Sequence, residues 1–216
     1  MQHVPIDSLN TPDLCTQPSP HPVGPGWVRT AFFILLLLST LLISLPSWGD
    51  GGEEEDIWLQ IDTQALTLRV MRGQQTIRTY EDIAIGRFGT TADKRHLDGK
   101  TQLGEFRISL IKDPSSSAYR RFFGFDYPQL DQAERALKKG DLSLNEYKAI
   151  HSAVRAHRTP PQNTALGGHL GIHGIGAGDP KVHMSYNWTK GCIALTNAQI
   201  DELAQWARLG VRVVIY

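Results

Sequence analysis

The residue types able to do chemistry gather between Gly167 and Asn197. Within this stretch a His-Gly step, His173-Gly174, precedes a Gly-Cys step, Gly191-Cys192, nineteen positions from histidine to cysteine. The chain has only one other cysteine, Cys15. A lone thiol with a histidine elsewhere in the chain is the minimal apparatus for nucleophilic acyl transfer. A thiol is a weak nucleophile near neutrality until a base takes its proton or a neighbour stabilises the thiolate. An imidazole does either, which makes His173 the candidate general base for a Cys192 nucleophile. The Gly174 carbonyl is placed to orient the ring nitrogen that faces away from sulfur. Gly191 removes side-chain obstruction beside the thiol, and the amides of Gly191 and Cys192 are candidate donors to a developing oxyanion.

Two plainer readings compete. A solitary cysteine is most often a buried small apolar residue, and a solitary strand histidine a structural one. A metal site built from His169, His173 and His183 is the other rival. In a strand, His169 and His173 share a face but sit about 13 Å apart at ~3.3 Å per residue. That is too far for one zinc with ~2 Å bonds. A helix would bring them together, but four glycines between positions 167 and 174 oppose it. No metal is therefore expected.

The surrounding elements must hold these groups. From Ile57 apolar and polar residues alternate: Ile57, Leu59 and Ile61, then Leu66, Leu68 and Val70, with Arg72-Gly73-Gln74 as a turn and Thr76–Tyr80 as a further strand. Ile83–Gly86 and Phe106–Leu110 continue the pattern, separated by a long polar loop, 86–104. Successive hairpins predict an antiparallel β core. Residues 113–163 read as a helical insertion, with one helix over Asp131–Lys139 stopped by Gly140. A second opens at a capping box, Ser143 to Glu146, and runs to about Arg158, with Tyr147, Ile150 and Val154 on its core face. Thr196 and Gln199 make another capping box, for a helix reaching about Arg208. Val211–Tyr216 is a terminal strand.

Ahead of this body the composition changes. Residues 1–26 are rich in proline and small polar residues without apolar periodicity, as in disordered tails. Residues 27–49 form a signal peptide or signal anchor around AFFILLLLSTLLISL, fifteen residues without a charge from Ala31 to Leu45. At ~1.5 Å per residue this reaches roughly 22 Å, short of the ~30 Å hydrocarbon core. Arg29 before it and the acidic run after it orient the body outward. Ser47 and Gly49 permit cleavage before Asp50. Residues 50–56 are an acidic linker, and 57–216 the catalytic domain. Zero net charge over 216 residues argues against nucleic acid as a partner. Cys15 and Cys192 fall on opposite sides of the apolar segment, so a disulfide between them is not expected.

Several short stretches, taken in order, resemble one known family. The run Lys100-Thr101-Gln102-Leu103-Gly104-Glu105-Phe106-Arg107-Ile108 is similar to the "K-T-P-x-G-x-F-x-I" stretch of the L,D-transpeptidase (YkuD-like) catalytic domains. Gly171-Ile172-His173-Gly174 resembles their catalytic histidine segment. Thr189-Lys190-Gly191-Cys192-Ile193 resembles their "S-x-G-C-I" signature, and Asn197 their following asparagine. The resemblance covers about Ile57 to Tyr216. It implies a mainly β, bent β-sandwich fold, a Cys192 thiolate that attacks peptidoglycan stem peptides, His173 as base, Gly174 as its orienter, and no cofactor. Thr189, Lys190, Asn197 and His169 are the expected substrate-side residues.

Two positions depart from the pattern. Many members carry histidine before the Gly-Cys step, where this chain has Lys190, and arginine two positions after the cysteine, where it has Ala194. The resemblance extends to a branch that includes an amidase cleaving the bond between diaminopimelate and a wall-linked lipoprotein. An exported transpeptidase, a hydrolase of the same bonds and a non-catalytic wall-binding protein are thus the three expectations. The partners are stem peptides, a wall-linked lipoprotein, and the membrane if the leader stays uncleaved.

Overall fold

A computed structural model describes residues 56–116 and 119–216. The readings of 1–49 as tail and leader, and nearly all of the acidic linker, lie outside the described residues. No helix among those residues is long and apolar enough to cross a membrane.

The chain begins with a meander of three strands, β1 (Ile57–Asp62), β2 (Thr67–Arg72) and β3 (Gln75–Tyr80). Their period-two alternation works as read: Leu59, Ile61, Leu68 and Val70 are fully buried while Gln60 and Arg69 face outward. Two short strands, β4 (Thr90–Thr91) and β5 (Thr101–Gln102), pair within the polar loop. The nine-residue β6 (Gly104–Lys112) follows, then β7 (Phe122–Phe125), α1 (Leu130–Lys139), α2 (Leu144–Arg155), β8 (Gly171–Gly174), α3 (Pro180–Ser185), β9 (Ile193–Leu195), α4 (Asn197–Leu203) and β10 (Arg212–Ile215).

Eight of these strands form one sheet in the order β3-β2-β1-β10-β6-β7-β8-β9. β6 is where the sheet changes direction. Its first half, Gly104 to Arg107, pairs with β10, and its second half, Ile108 to Lys112, pairs with β7 across a register shift between Ile108 and Leu110. Such irregularities increase local twist and bend. At the far edge β9 is not bare: Ala84 and Ala194 exchange backbone bonds of 2.9 and 2.8 Å. Since 83–86 directly follows β3 at the opposite edge, the sheet is folded back until its two ends share one connecting segment. That covers an edge that would otherwise invite strand addition.

Four details differ from the sequence expectation. The sheet is mixed, because β1–β10 and β8–β9 are parallel. Ile83–Gly86 makes only two isolated bridges, Ala84 to Ala194 and Gly86 to Thr189. The segment 113–163 contains, besides its two helices, the core strand β7, whose run Phe122-Phe123-Gly124-Phe125 carries no polar alternation because both faces are covered. The helices end at Arg155 and Leu203, a turn short of the reading.

The capping boxes are present as read. The Ser143 side chain accepts from the Glu146 amide, and that of Thr196 from the Gln199 amide. Gly140 closes α1 at φ 76°, a conformation that costs glycine little. Ile150 and Ile200 are fully buried, anchoring α2 and α4 to the same core that Phe106, Ile172, Ile193 and Val213 fill from the sheet. Phe106 stacks on Phe125 with ring centroids 5.4 Å apart, and Tyr127 meets Phe106 edge-on.

Candidate active site

His173 lies on β8 and Cys192 at the mouth of its parallel neighbour β9. His173 in β8 lies opposite Ala194 in β9, and Cys192 directly precedes β9. Two residues of offset and one strand spacing separate the Cα atoms by roughly 8 Å. This short parallel pair is what brings the two groups together from nineteen positions apart.

Each group is held by its surroundings. The imidazole is 1% exposed. Its Nδ1 lies 3.0 Å from the Gly174 carbonyl oxygen. A carbonyl only accepts, so Nδ1 carries the proton and Nε2 is left with its lone pair. The Tyr119 ring stacks on the imidazole at 3.8 Å between centroids, and Trp188 packs edge-on at 5.9 Å. Burial pulls the His173 pKa down to about 4, against the opposing bond to Gly174, and His183 adds to the fall. His173 is thus a neutral base at physiological pH.

The thiol is held in its protonated form. Burial pushes Cys192 up to about 11, opposed by a backbone bond at Gly171 and by the charge of Lys94. Sγ donates to the His169 carbonyl oxygen at 3.4 Å, and no hydrogen bond joins it to His173. The resting pair is therefore neutral thiol and neutral imidazole.

The turn carrying the thiol is a network of backbone groups satisfied by side chains. Thr189 Oγ1 donates to the Cys192 carbonyl at 2.7 Å and accepts from the Gly191 amide at 3.0 Å. Thr101 Oγ1 donates to the Gly191 carbonyl at 3.1 Å and accepts from the Gly86 amide. Lys94 Nζ donates to the Lys190 carbonyl at 3.3 Å. Gly191 itself sits at φ 135°, and a Cβ there would lie 2.7 Å from the Lys100 carbonyl oxygen and 2.9 Å from Lys94 Nζ. Its lack of a side chain serves this packing.

Several expected residues hold other positions. The Gly191 amide, expected at an oxyanion, donates to Thr189 Oγ1. Thr189 is buried and braces the turn. Asn197 accepts from the Gly176 amide and donates to the Gly176 carbonyl at 2.9 and 2.7 Å, tying the start of α4 to the turn that follows β8. His169, at φ 54°, precedes β8 and is not part of it. Among the described residues no group of three or more His, Cys, Asp and Glu side chains is clustered to hold a metal ion. His183 packs edge-on against Trp188 and is not among the residues lining the cavity.

Cys192 opens into a cavity of about 410 Å³. Lys94, His96, Lys112, His169 and Lys190 give its walls a basic character, while Leu97, Phe122 and Leu170 supply apolar surface. Tyr119 borders the cavity and covers His173 from it. Sequence reasoning missed Lys94, Tyr119 and Trp188. None lies in a motif, and only Trp188, one residue before the Thr189 signature, carried any positional signal.

A bent mixed sheet thus places an oriented imidazole on β8 and a thiol at the start of β9 beside one cavity. The chain belongs to the L,D-transpeptidase catalytic domain family, YkuD, whose profile matches residues 56–215. No curated protein matches the chain. Among solved structures it is similar to the helical cell shape determining protein Pgp2 from Campylobacter jejuni, at 20% identity and TM-score 0.50, covering 76% of this chain and 48% of that one. It is also similar to Bd1075 from Bdellovibrio bacteriovorus, at 19% identity and TM-score 0.47, covering 75% and 48%. The catalytic domain of the Enterococcus faecium L,D-transpeptidase matches at 13% identity and TM-score 0.40, with 76% and 100% covered. The chain thus spans about half the length of the first two.

Proposed function

We propose that this protein is a cysteine-dependent acyltransferase acting on peptidoglycan stem peptides at the cell envelope. The observation that carries this reading is the pairing of Cys192, open to a basic cavity, with a neighbouring His173 whose Nδ1–H is committed to Gly174. Family membership of residues 56–215 supports it.

In the reaction, the Cys192 thiol turns from the His169 carbonyl toward His173. Sγ bonds to the carbonyl carbon of the donor peptide as its proton passes to His173 Nε2. The C–N bond to the leaving residue then breaks, and the leaving amine takes that proton. A thioester remains on Cys192. An incoming amine or water attacks it, His173 accepts the new proton, and that proton returns to sulfur as the thioester opens. Because thiol and imidazole start neutral, proton transfer accompanies attack rather than preceding it. We assign the oxyanion to the Cys192 amide, since that of Gly191 is engaged. Thr189 and Asn197 shape the site; Lys190 and His169, on the cavity wall, meet the substrate.

A hydrolytic second reading rests on Ala194. Where many family members carry an arginine, this chain has a fully buried alanine bonded through its backbone to Ala84. With no guanidinium there to grip a substrate, recognition passes to the cavity's lysines and histidines, and a wall-linked lipoprotein bond becomes a candidate substrate. The export reading of residues 27–49 fits either reaction.

The test is to incubate the full chain, beside Cys192→Ala, with purified peptidoglycan and with peptidoglycan still carrying lipoprotein, and to read the products by mass spectrometry. New 3–3 dimers with released D-alanine establish the transpeptidase, and freed lipoprotein or tripeptide without dimers the hydrolase. Equal product from Cys192→Ala refutes both.

A further inference from the structure

The most heavily used side chain near the thiol belongs to neither catalytic residue. Lys94 is 4% exposed, a position in which lysine is rarely found without a partner. Its ammonium has three protons and three oxygen partners: Asp98 Oδ1 at 2.6 Å, the Lys100 carbonyl at 2.8 Å and the Lys190 carbonyl at 3.3 Å. Asp98 is held in turn by the amides of Arg95 and Lys100. The assembly joins the polar loop to the nucleophile turn, ninety-six positions away.

Geometry puts this cation against the residue preceding the nucleophile. Nζ lies 2.9 Å from where a Gly191 Cβ would stand. Lys94 also reaches the cavity into which Cys192 opens. The other titratable groups around the thiol are His173 on β8, Tyr119, and on the cavity walls His169, Lys190, His96 and Lys112. Only Lys94 is both buried and bonded to the turn.

We propose that Lys94 is a positioning residue of the site: its ammonium clamps the Lys190–Gly191 turn and supplies the positive charge that favours the Cys192 thiolate, while Asp98 tempers that charge. The inference rests on Cys192 being the nucleophile. A charge in a low-dielectric setting acts on its neighbours more strongly than one in water, and Lys94 already opposes the upward pull of burial on the thiol.

The signs of two substitutions separate this from plain scaffolding. Lys94→Met removes the cation, and Asp98→Asn removes the charge that tempers it. Both break the same 2.6 Å contact, so a purely structural role moves thiol reactivity in the same direction for both. The measurement is the second-order rate of iodoacetamide alkylation between about pH 6 and 9, read at the Cys192 peptide by mass spectrometry so that Cys15 does not interfere. It uses the full chain, with folding checked by circular dichroism. Lys94→Met is expected to slow alkylation about tenfold, the effect of one pKa unit on the thiolate fraction. Asp98→Asn is expected to speed it severalfold. If Lys94→Met does not fold, the double variant Lys94→Met/Asp98→Asn, which strands no carboxylate, is compared with Asp98→Asn and is expected to be slower by the same factor. Shifts of one sign in both single variants, or unchanged rates in folded variants, overturn the proposal. Alkylation needs no peptidoglycan, so it judges Lys94 even if the wall-substrate reading fails.

Discussion

His173 Nδ1 lies 3.0 Å from the carbonyl oxygen of the very next residue, Gly174. This one contact selects the tautomer, fixes the ring plane and leaves Nε2 as the basic atom. It is available because Gly174 lacks a side chain. A Cβ there would meet Ile200 at 2.6 Å and Arg120 at 2.8 Å, so any larger residue would push α4 and the segment before β7 off the strand.

The buried imidazole makes stability depend on pH with a definite sign. The folded-state pKa of about 4 lies below the ordinary 6.5, so the unfolded chain binds the extra proton. Stability from this residue is complete above pH 6.5 and is lost as pH falls from there to about 4. The full change is about 3 kcal/mol by linkage. Urea melts at several pH values, comparing the protein with His173→Leu, check this: the variant is expected to lose that part of the slope, and an unchanged slope contradicts it. Turnover by the same variant is expected to fall about a thousandfold.

Tyr119 covers that imidazole. Tyr119→Ala opens one face of the ring to water, and the His173 pKa is expected to climb back toward 6.5 as the cost of charging the ring falls. Histidine NMR titration reads it directly. Activity between about pH 5 and 6 is then expected to drop more than activity at pH 8, because a protonated base accepts nothing. A variant titrating near pH 4 would show that Trp188 and the strands alone desolvate the ring.

Thr189 bridges the Gly191 amide and the Cys192 carbonyl with one hydroxyl. Thr189→Val keeps the shape and leaves both groups without that partner, at an expected cost of about 2 kcal/mol. Thr189→Ser is expected to recover most of it. Thermal unfolding of the three proteins measures the cost, and alkylation of Cys192 reports whether the turn has moved. Equal stability of the valine variant would mean that the hydroxyl is not what holds the turn.

Gly191→Ala combines a φ of 135° with contacts under 3 Å to the Lys100 carbonyl and Lys94 Nζ. The strain is expected to cost about 2 kcal/mol and to abolish turnover, since the thiol's own turn must shift to relieve it. A melting temperature and a turnover rate both near those of the unaltered protein would contradict the packing described.

Legibility followed the range of the interaction. Ser143 with Glu146 and Thr196 with Gln199 act across three residues, and both boxes stand where they were read. The alternation of β1 and β2 needs only one buried face, and Leu59, Ile61, Leu68 and Val70 occupy it. β7 escaped notice because a strand covered on both faces has no alternation to detect. α3 escaped because its signal was only Asp179 ahead of Pro180, a cap on a six-residue helix. Parallel pairing of β8 with β9 left no local mark, since nothing in either strand names its partner.

The sequence by itself determined the meander, the capped helices and the two groups proposed to react, because each is written in residue type and short spacing. Tertiary structure decided how those groups are set. It buried His173 beneath Tyr119, turned the Cys192 sulfur to the His169 carbonyl, spent the Gly191 amide on Thr189 and brought Lys94 to the turn from ninety-six positions away. Desolvation and charge act through space, so the protonation states of thiol and imidazole depend on which segments pack around them.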